Sequence, residues 1–280
     1  MESVTELSNE QLEIQLLLEA IYRKYGYDFR EYSLAHTKRR LEYRRAIEGM
    51  SNYSQMQHKV INEPRFFDQM LLDLSINVTE MFRDPWFYRR VREVIIPHLQ
   101  TYPFVKVWHA GCSAGQEVYS MGILLEEEEG MKDRAQVYAT DFNEAILEKA
   151  KQGIYPMDLI RQYTANYQAA GGSASFSDYY TADYDSVIMK TALREKTLFT
   201  PHNLATDGVF GEMNVIFCRN VLIYFNRELQ DRVFRLFYDS LMPGGFLCLG
   251  SKESMRFSSI ADKFDLVSEK EKIYRKKRIR

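Results

Sequence analysis

The sequence has few cysteines and no long apolar run, and both shortages restrict the kind of protein it encodes. Its three cysteines, Cys112, Cys218 and Cys248, are an odd and scattered set, which predicts reduced thiols rather than a disulfide framework. No apolar stretch is long enough to cross a bilayer, and the acidic, polar first residues differ from a secretory signal. We therefore expect a cytoplasmic chain without direct membrane insertion.

Signals for metal and nucleic-acid binding are also missing. Five scattered histidines without a Cys-x-x-Cys pair predict no metal site. A formal net charge of −2 gives no global attraction to nucleic acid. The glycines match neither the dinucleotide pattern G-x-G-x-x-G nor the triphosphate pattern G-x-x-x-x-G-K-[ST]. What remains is an ordinary globular composition, 45% apolar and 27% charged, over 280 residues that can form one large domain or two small ones.

The most informative stretch runs from Val105 to Leu125 and reads VKVWHAGCSAGQEVYSMGILL. Its alternating start predicts a strand, and the small residues from Gly111 to Gly115 predict a tight turn. Apolar residues then recur at helical spacing. A strand that leads through a glycine-bounded turn into a helix is typical of the nucleotide-binding corner of an open α/β sheet. An ordinary βα turn would have the same pattern, so the turn alone does not identify a site.

Residues 1–76 predict a helical N-terminal domain. Helices are expected over 8–25, 34–49 and 52–61, and from Pro64 onward. The second of these helices contains five cations within eight residues: Lys38, Arg39, Arg40, Arg44 and Arg45. A solvated helix face is the default interpretation of such a run. The alternative is a docking surface for an acidic partner.

Residues 77–85 predict a linker between the helical domain and an α/β domain over 86–280. Asn77, Thr79 and Arg83 alternate in this extended segment, which puts their polar groups on one side. Asp84 before Pro85 predicts an N-cap and the first helical position of the following helix.

Polar residues follow several predicted strands of the α/β domain. Asp141 ends the strand QVYATD, where a carboxylate suits the two hydroxyls of a ribose. A helix N-terminal acid is an equally good interpretation of this residue alone. Glu117, Asn203 and Asn220 occupy similar positions after other strands. Because all four fall at the carboxyl edge of one predicted sheet, we expect them to form a common site.

The alternation of strands and helices is interrupted at about 172–200. Residues 165–178 are small and lack apolar periodicity, which predicts a loop. Two short apolar runs, 187–190 and 197–199, predict the strands of a small inserted β-hairpin or sheet. Residues 264–277 predict a final pair of short strands.

Taken together, these segments resemble a known family, the CheR methyltransferases. The resemblance rests on INVTEMFRDP, VWHAGCSAGQEVYSMGI, VYATDFNEAILEKAKQGIY, the pair Asn203–Leu204, IFCRNVLIYF and MPGGFLCLGSKES, in this order. The family uses S-adenosylmethionine to methylate glutamates of methyl-accepting chemotaxis receptors. The resemblance implies an α/β fold with a Rossmann-like class I methyltransferase sheet and a small inserted β-subdomain, preceded by an all-α domain.

The resemblance also implies a set of site residues. The cofactor contacts of the family fall on Asn77, Thr79, Arg83, Gly111, Glu117, Asp141, Asn203, Leu204, Arg219 and Asn220. Arg83 and Tyr224 would lie nearest the transferred methyl group and form the catalytic pair. The cations of the second helix would dock the acidic helical bundle of the receptor, and the enzyme is expected to be a monomer.

The implied product is a glutamate methyl ester together with S-adenosylhomocysteine. A glutamate is already an anion at neutral pH, so this transfer needs no general base, in agreement with the lack of a recognisable His–acid pair. The sequence departs from the family at Gln116, Val118, Ser251 and Lys252 and most strongly in the insert, which puts binding of a receptor tail peptide in doubt. The alternatives are a methyltransferase for a different protein substrate and a cofactor-binding scaffold without turnover.

Overall fold

The computed structural model describes residues 7–75 and 79–278. Within these ranges no helix is both long enough and apolar enough to cross a membrane. The described residues form two compact units. The first contains the residues up to 75 and also Tyr224–Gln230, and the second contains the rest.

The first unit is helical, as its sequence pattern predicts. Its N-terminal part consists of α1 (Asn9–Tyr25), α2 (Leu34–Ile47), α3 (Tyr53–Asn62) and α4 (Pro64–Leu74). Helix α1 begins at the capping box of Ser8 and Gln11 and ends at Gly26, whose φ of 79° favours glycine. The apolar stripe of α1 is buried, and α4 begins with a proline at its first position.

The second unit is built on two sheets. Its strands, in chain order, are β1 (Val105–Ala110), β2 (Ala135–Asp141), β3 (Ile154–Pro156), β4 (Tyr180–Asp183), β5 (Ser186–Met189), β6 (Thr197–Pro201), β7 (Met213–Cys218), β8 (Leu241–Leu249), β9 (Phe264–Ser268) and β10 (Ile273–Lys276). The remaining helices are α5 (Pro85–Arg90), α6 (Ile96–Leu99), α7 (Gln116–Glu127), α8 (Glu144–Gln152), α9 (Ile160–Ala169), α10 (Thr191–Glu195) and α11 (Arg227–Ser240). A π-helical turn, Val91–Ile95, joins α5 to α6.

The larger sheet has the strand order β6-β2-β1-β7-β8-β10-β9. The first five strands in this order are parallel, whereas β10 is antiparallel to both of its neighbours. Every residue of β7 is buried, because helices cover both faces of a parallel sheet. The smaller sheet, β3-β5-β4, is antiparallel. The predicted fold class is therefore confirmed, and so is the final strand pair, β9 and β10.

Two local predictions were wrong. The run 197–199 does not pair with 187–190; it forms β6, which lies parallel to β2 from Val137↔Thr197 to Asp141↔Pro201. Strand β5 pairs instead with β3 and β4. A short apolar run fixes a strand but not its partner, which depends on distant parts of the chain. The predicted loop 165–178 is also shorter, because α9 extends to Ala169 and a 3-10 turn covers Phe176–Tyr179.

Candidate functional site

The loops that follow the parallel strands meet along one edge of the larger sheet. Asp141 is the last residue of β2, and its Oδ2 accepts a hydrogen bond from the Ser113 amide in the loop after β1, at 3.0 Å. Its carbonyl accepts another from the amide of His202, immediately after β6, at 3.1 Å. Ligands bind in open α/β sheets at this edge, outside the carboxyl ends of the strands.

The turn after β1 has a backbone conformation that allows close approach to a ligand bound at this edge of the sheet. Gly111, Ser113 and Gly115 all have left-handed backbone, with φ of 76°, 52° and 86°. A Cβ atom at Gly111 would lie 2.7 Å from Cγ2 of Val221, so only glycine fits there without a shift. No side chain caps the start of α7, and its first-turn N–H groups are available to a polar ligand.

Asp141 is held in place by backbone amides. Its Oδ1 accepts from the Asn143 amide at 3.1 Å, in addition to the bond from Ser113 to its Oδ2. Burial raises the pKa of Asp141, and these hydrogen bonds partly offset the increase. The cap of α8 is the Asn143 side chain, which accepts from the amides of Ala145 and Ile146. Because the Asn143 side chain fills the capping role, Asp141 is not needed as the helix cap, and its carboxylate can serve as an acceptor for ribose hydroxyls.

A buried charge network lies beside the start of α7. Glu117 Oε1 lies 3.0 Å from Nδ1 of His109, and its Oε2 accepts from Nη1 of Arg219 at 3.1 Å. Nη2 of Arg219 donates to Oδ2 of Asp84 at 2.8 Å. The guanidinium also lies over the ring of Phe87, 3.9 Å from its centroid. The Arg219 side chain is only 1% exposed, so water does not replace any of these partners.

The network decides the charge state of Glu117. Burial alone would raise the pKa of this carboxyl, but the hydrogen bond from His109 and the charge of Arg219 outweigh it, and the pKa is lowered. Burial likewise works against the charge of Arg219, yet the nearby carboxylates Glu117 and Asp84, with Tyr88, raise its pKa. The site therefore presents an ionised carboxylate at Glu117.

Two sequence predictions are corrected by this network. A His–acid pair does exist, between His109 and Glu117. His109 is completely buried with its ring stacked on Phe217, so it fixes Glu117 and cannot reach a substrate. Asp84 is not a side-chain N-cap: its φ is 57°, and its carboxylate pairs with Arg219. The pairing of Asp84 with Arg219 could not be found from the sequence, because the two residues are 135 positions apart.

The other predicted cofactor residues have separate surroundings. The Asn203 side chain accepts from the Ala205 amide at 3.0 Å, and Leu204 is buried. Asn220 directly follows Arg219 and has a φ of 63°. Thr79 and Arg83 are half-buried. The Arg83 carbonyl accepts from Nη1 of Arg219 at 3.4 Å, whereas Asn77 lies outside the described residues.

Tyr224, the second predicted catalytic residue, belongs to the first unit. Its carbonyl accepts from the Ser33 amide at 2.8 Å, and its ring packs edge to face on that of His36 with centroids 5.3 Å apart. A role for its hydroxyl in methyl transfer remains a prediction from the family resemblance.

The five cations of α2 differ in how far they are engaged within the first unit. Lys38 pairs with Glu10 at 2.5 Å, and Arg44 pairs with Asp73 at 2.5 Å and with Glu48. Arg45 lies over the ring of Tyr53, 4.8 Å from its centroid. Arg40 is half-buried and Arg39 is exposed. A surface for an acidic partner would therefore depend mainly on Arg39 and Arg40.

We predict that replacing Cys112 with alanine leaves cofactor affinity and turnover within about twofold of the wild type. Burial raises the pKa of the Cys112 thiol well above its usual range, so the reactive thiolate is not formed at neutral pH. Titration calorimetry and turnover measurements check this. Loss of turnover with intact cofactor binding would indicate covalent chemistry at the thiol.

Comparison with known proteins agrees with the class that fold and site define, the S-adenosylmethionine-dependent methyltransferases. Residues 77–273 match the CheR methyltransferase, SAM binding domain, and residues 12–75 match the CheR methyltransferase, all-alpha domain. The chain therefore belongs to the CheR methyltransferase family and binds S-adenosylmethionine.

Individual relatives differ in their degree of similarity. The chain is 50% identical over 273 residues to a Pseudomonas putida protein named "Putative methyltransferase Cher3", covering 98% of this chain and 100% of that one. It is 32% identical to a chemotaxis protein methyltransferase of Vibrio anguillarum, over 69% of this chain and 70% of that one. It is 27% identical to chemotaxis protein methyltransferase 1 of Pseudomonas aeruginosa, over 79% and 81% of the two chains.

The residues at the sheet edge fit S-adenosylmethionine chemically. Asp141 offers acceptors for ribose hydroxyls, and the ionised Glu117 offers one for the α-ammonium group. The left-handed turn at Gly111–Gly115 lets backbone approach the ligand. We assign the cofactor to these residues as part of the proposal below.

Proposed function

We propose that this protein transfers a methyl group from S-adenosylmethionine to glutamate side chains of methyl-accepting chemotaxis receptors, leaving S-adenosylhomocysteine. The observation that carries the proposal is that both parts of the chain match the CheR family. Residues 12–75 match its all-alpha domain, and residues 77–273 match its SAM-binding domain. Relatives named chemotaxis protein methyltransferases, at 27–32% identity, support it.

The chemistry requires alignment more than proton transfer. S-adenosylmethionine supplies a methyl group on a positively charged sulfur. A substrate glutamate, with a reference pKa of about 4.3, is already a nucleophilic carboxylate at neutral pH. The protein then has to hold one carboxylate oxygen behind the methyl group, and alignment of this kind supplies much of the rate enhancement of two-substrate reactions.

We assign the roles as follows. Asp141 accepts the ribose hydroxyls, and Glu117, fixed by His109 and Arg219, accepts the ammonium group of the cofactor. The remaining cofactor contacts are Asn77, Thr79, Arg83, Gly111, Asn203, Leu204, Arg219 and Asn220. Arg83 steers the substrate carboxylate by its charge, and Tyr224 donates a hydrogen bond to one of its oxygens.

The decisive experiment combines the purified protein with methyl-labelled S-adenosylmethionine and cytoplasmic fragments of chemotaxis receptors. We expect label on glutamates, as base-labile methyl esters located by mass spectrometry. Cofactor binding without transfer to any receptor or other protein would contradict the proposal and leave a binding scaffold.

A second candidate is methyl transfer to a different protein. It is favoured by the gap between 50% identity to "Putative methyltransferase Cher3" and 27–32% identity to the chemotaxis methyltransferases of Vibrio anguillarum and Pseudomonas aeruginosa. Labelling of a cell extract, followed by identification of the methylated peptide, separates the two. Label on a protein that is not a chemotaxis receptor would select this second candidate.

We expect Arg83→Ala and Tyr224→Phe each to lower kcat by about tenfold or more, and to lower kcat more than they weaken cofactor binding. A group that acts on the substrate carboxylate during transfer contributes to kcat rather than to binding of the methyl donor. Steady-state kinetics with saturating cofactor, together with calorimetry, measure both quantities. An unchanged kcat in Tyr224→Phe would exclude its hydroxyl from alignment.

We predict that reversing Arg39 and Arg40 together to glutamate raises KM for receptor several-fold and flattens its salt dependence. Exposed charge pairs are individually weak, at about 0–1 kcal/mol, but a cluster steers an acidic partner until salt screens it. Arg44 is excluded, because a glutamate there would face Asp73 and Glu48. Unchanged kinetics at low salt, with normal cofactor Kd and circular dichroism, would show that the receptor docks elsewhere, and the insert at about 172–200 would be tested next.

A further inference from the structure

A buried carboxylate outside the predicted site holds the backbone beside it. Glu253 lies in the turn after β8 and is 5% exposed. Its Oε2 accepts hydrogen bonds from the amides of Gly250 and Asn220, at 2.5 Å and 3.0 Å. Its Oε1 accepts from the amide of Ile223 at 3.3 Å. One side chain thus joins the end of β8 to the segment that follows β7.

The segment bound by Glu253 needs such support. Asn220 has a φ of 63°, in the left-handed region that costs free energy for a residue with a side chain. Its neighbour Arg219 is the buried centre of the charge network. The backbone conformation of Asn220 is therefore adjacent to the residue whose guanidinium fixes Glu117.

The close packing around Gly250 leaves no room for a side chain at that position. A Cβ atom at Gly250 would lie 2.7 Å from the Asn220 amide nitrogen and 2.8 Å from Oε2 of Glu253. Burial raises the pKa of Glu253, and the amides of Gly250, Asn220, Ile223 and Leu222 act against that increase. A carboxylate in this position is unfavourable unless the backbone donors that surround it are present.

We propose that Glu253 is a positioning residue of the cofactor site: by binding the amides of Asn220, Ile223 and Gly250 it fixes the 219–223 segment before S-adenosylmethionine binds. The inference rests on the proposed use of Arg219 and Asn220 in cofactor binding. It does not depend on which substrate receives the methyl group.

The test compares Glu253→Gln and Glu253→Asp with a matched control. Glutamine keeps the size, but its NH₂ group must face at least one backbone N–H, whereas aspartate keeps the charge with a shorter reach. The control is Glu127→Gln, because the Glu127 side chain is only 4% exposed and accepts from Tyr167, Tyr179 and Arg92, far along the chain from this segment. Calorimetry gives Kd for S-adenosylmethionine, and thermal unfolding gives Tm.

We expect Glu253→Gln to raise Kd about tenfold or more, Glu253→Asp to raise it less, and Glu127→Gln to lower Tm with Kd within about twofold. Equal losses of affinity in Glu253→Gln and Glu127→Gln, or an unchanged Kd in Glu253→Gln, would overturn the inference. Hydrogen exchange on the wild type gives an independent measurement. The amides of Asn220 and Ile223 should already be protected without ligand, and rapid exchange that stops only on ligand addition would also overturn it.

Failure of the proposed function is distinguishable from failure of this inference. If no receptor is methylated, the binding and exchange measurements still report on Glu253. If Glu253 proves dispensable, methyl transfer by the wild type is unaffected.

Discussion

Replacing Asp141 with alanine should raise the Kd for S-adenosylmethionine about 100-fold or more. Two hydrogen bonds to a charged acceptor contribute about 1.5–3 kcal/mol each, and each 1.4 kcal/mol is a factor of about ten in Kd. The substitution also removes the acceptor that ties the amides of Ser113 and Asn143 to the end of β2. Titration calorimetry measures the affinity directly.

The matched control for this prediction is Glu144→Ala. Glu144 is an exposed acid in the first turn of α8, so its removal tests the interaction of a carboxylate with the helix N-terminus alone. Its Kd should stay within about twofold of the wild type. If both variants bind S-adenosylmethionine as tightly as the wild type, Asp141 does not bind the ribose. It would then be only an acid at the start of a helix, the second interpretation that the sequence allows.

Replacing Arg219 with methionine should produce the largest loss of stability. Removing one partner of a buried ion pair costs about 3–5 kcal/mol, because it leaves an uncompensated charge. Here Glu117 and Asp84 would both lose their cation. For a chain of this size we expect Tm to fall on the order of 10 °C. A second substitution, Glu117→Gln, should restore part of this loss because it removes one of the stranded charges.

The pH dependence gives a sharper test of the same network. In the wild type the pKa of Glu117 is lowered, so its contribution to stability is present above its ordinary pKa and is lost as pH falls through the lowered value. Without Arg219, one of the two partners that lower the pKa of Glu117 is gone, so this pKa moves upward from its wild-type value. The loss of stability in the variant relative to the wild type should therefore become smaller as pH falls toward the ordinary pKa of a glutamate. Parallel stability curves for the two proteins would show that Arg219 does not control Glu117.

Glu253 and the charge network around Arg219 both stabilise the segment 219–223. Glu253 holds the backbone of 220–223, and the charge network holds the side chain of Arg219. Sequence reasoning included Arg219 only through the family resemblance and missed Glu253 altogether. An isolated glutamate after a strand has no pattern by which a buried acceptor of amides can be told from a surface acid.

Local signals in the sequence were sufficient to predict most helices and strands and the family. Helical spacing and capping residues, such as Ser8 with Gln11 and Asn143 before α8, are local signals that act through contacts within one turn. The fold class followed because segments such as VWHAGCSAGQEVYSMGI carry enough specific residues to be matched in order. Strand ends placed Glu117, Asp141 and Asn203 at one edge, since parallel strands all end there.

Which residues become partners is visible only in the folded chain. The assignment of 197–201 to the larger sheet, the pairing of Asp84 with Arg219 and the contact of His109 with Glu117 were not predictable from the sequence. The pairing of β6 with β2 and of Asp84 with Arg219 joins groups far apart in the chain, and the sequence contains no local record of that proximity. His109 and Glu117 are only 8 residues apart, and their contact depends on how the turn after β1 places α7 beside the strand. The strength of the charge interactions also depends on burial, which is a property of the folded chain and not of any single residue.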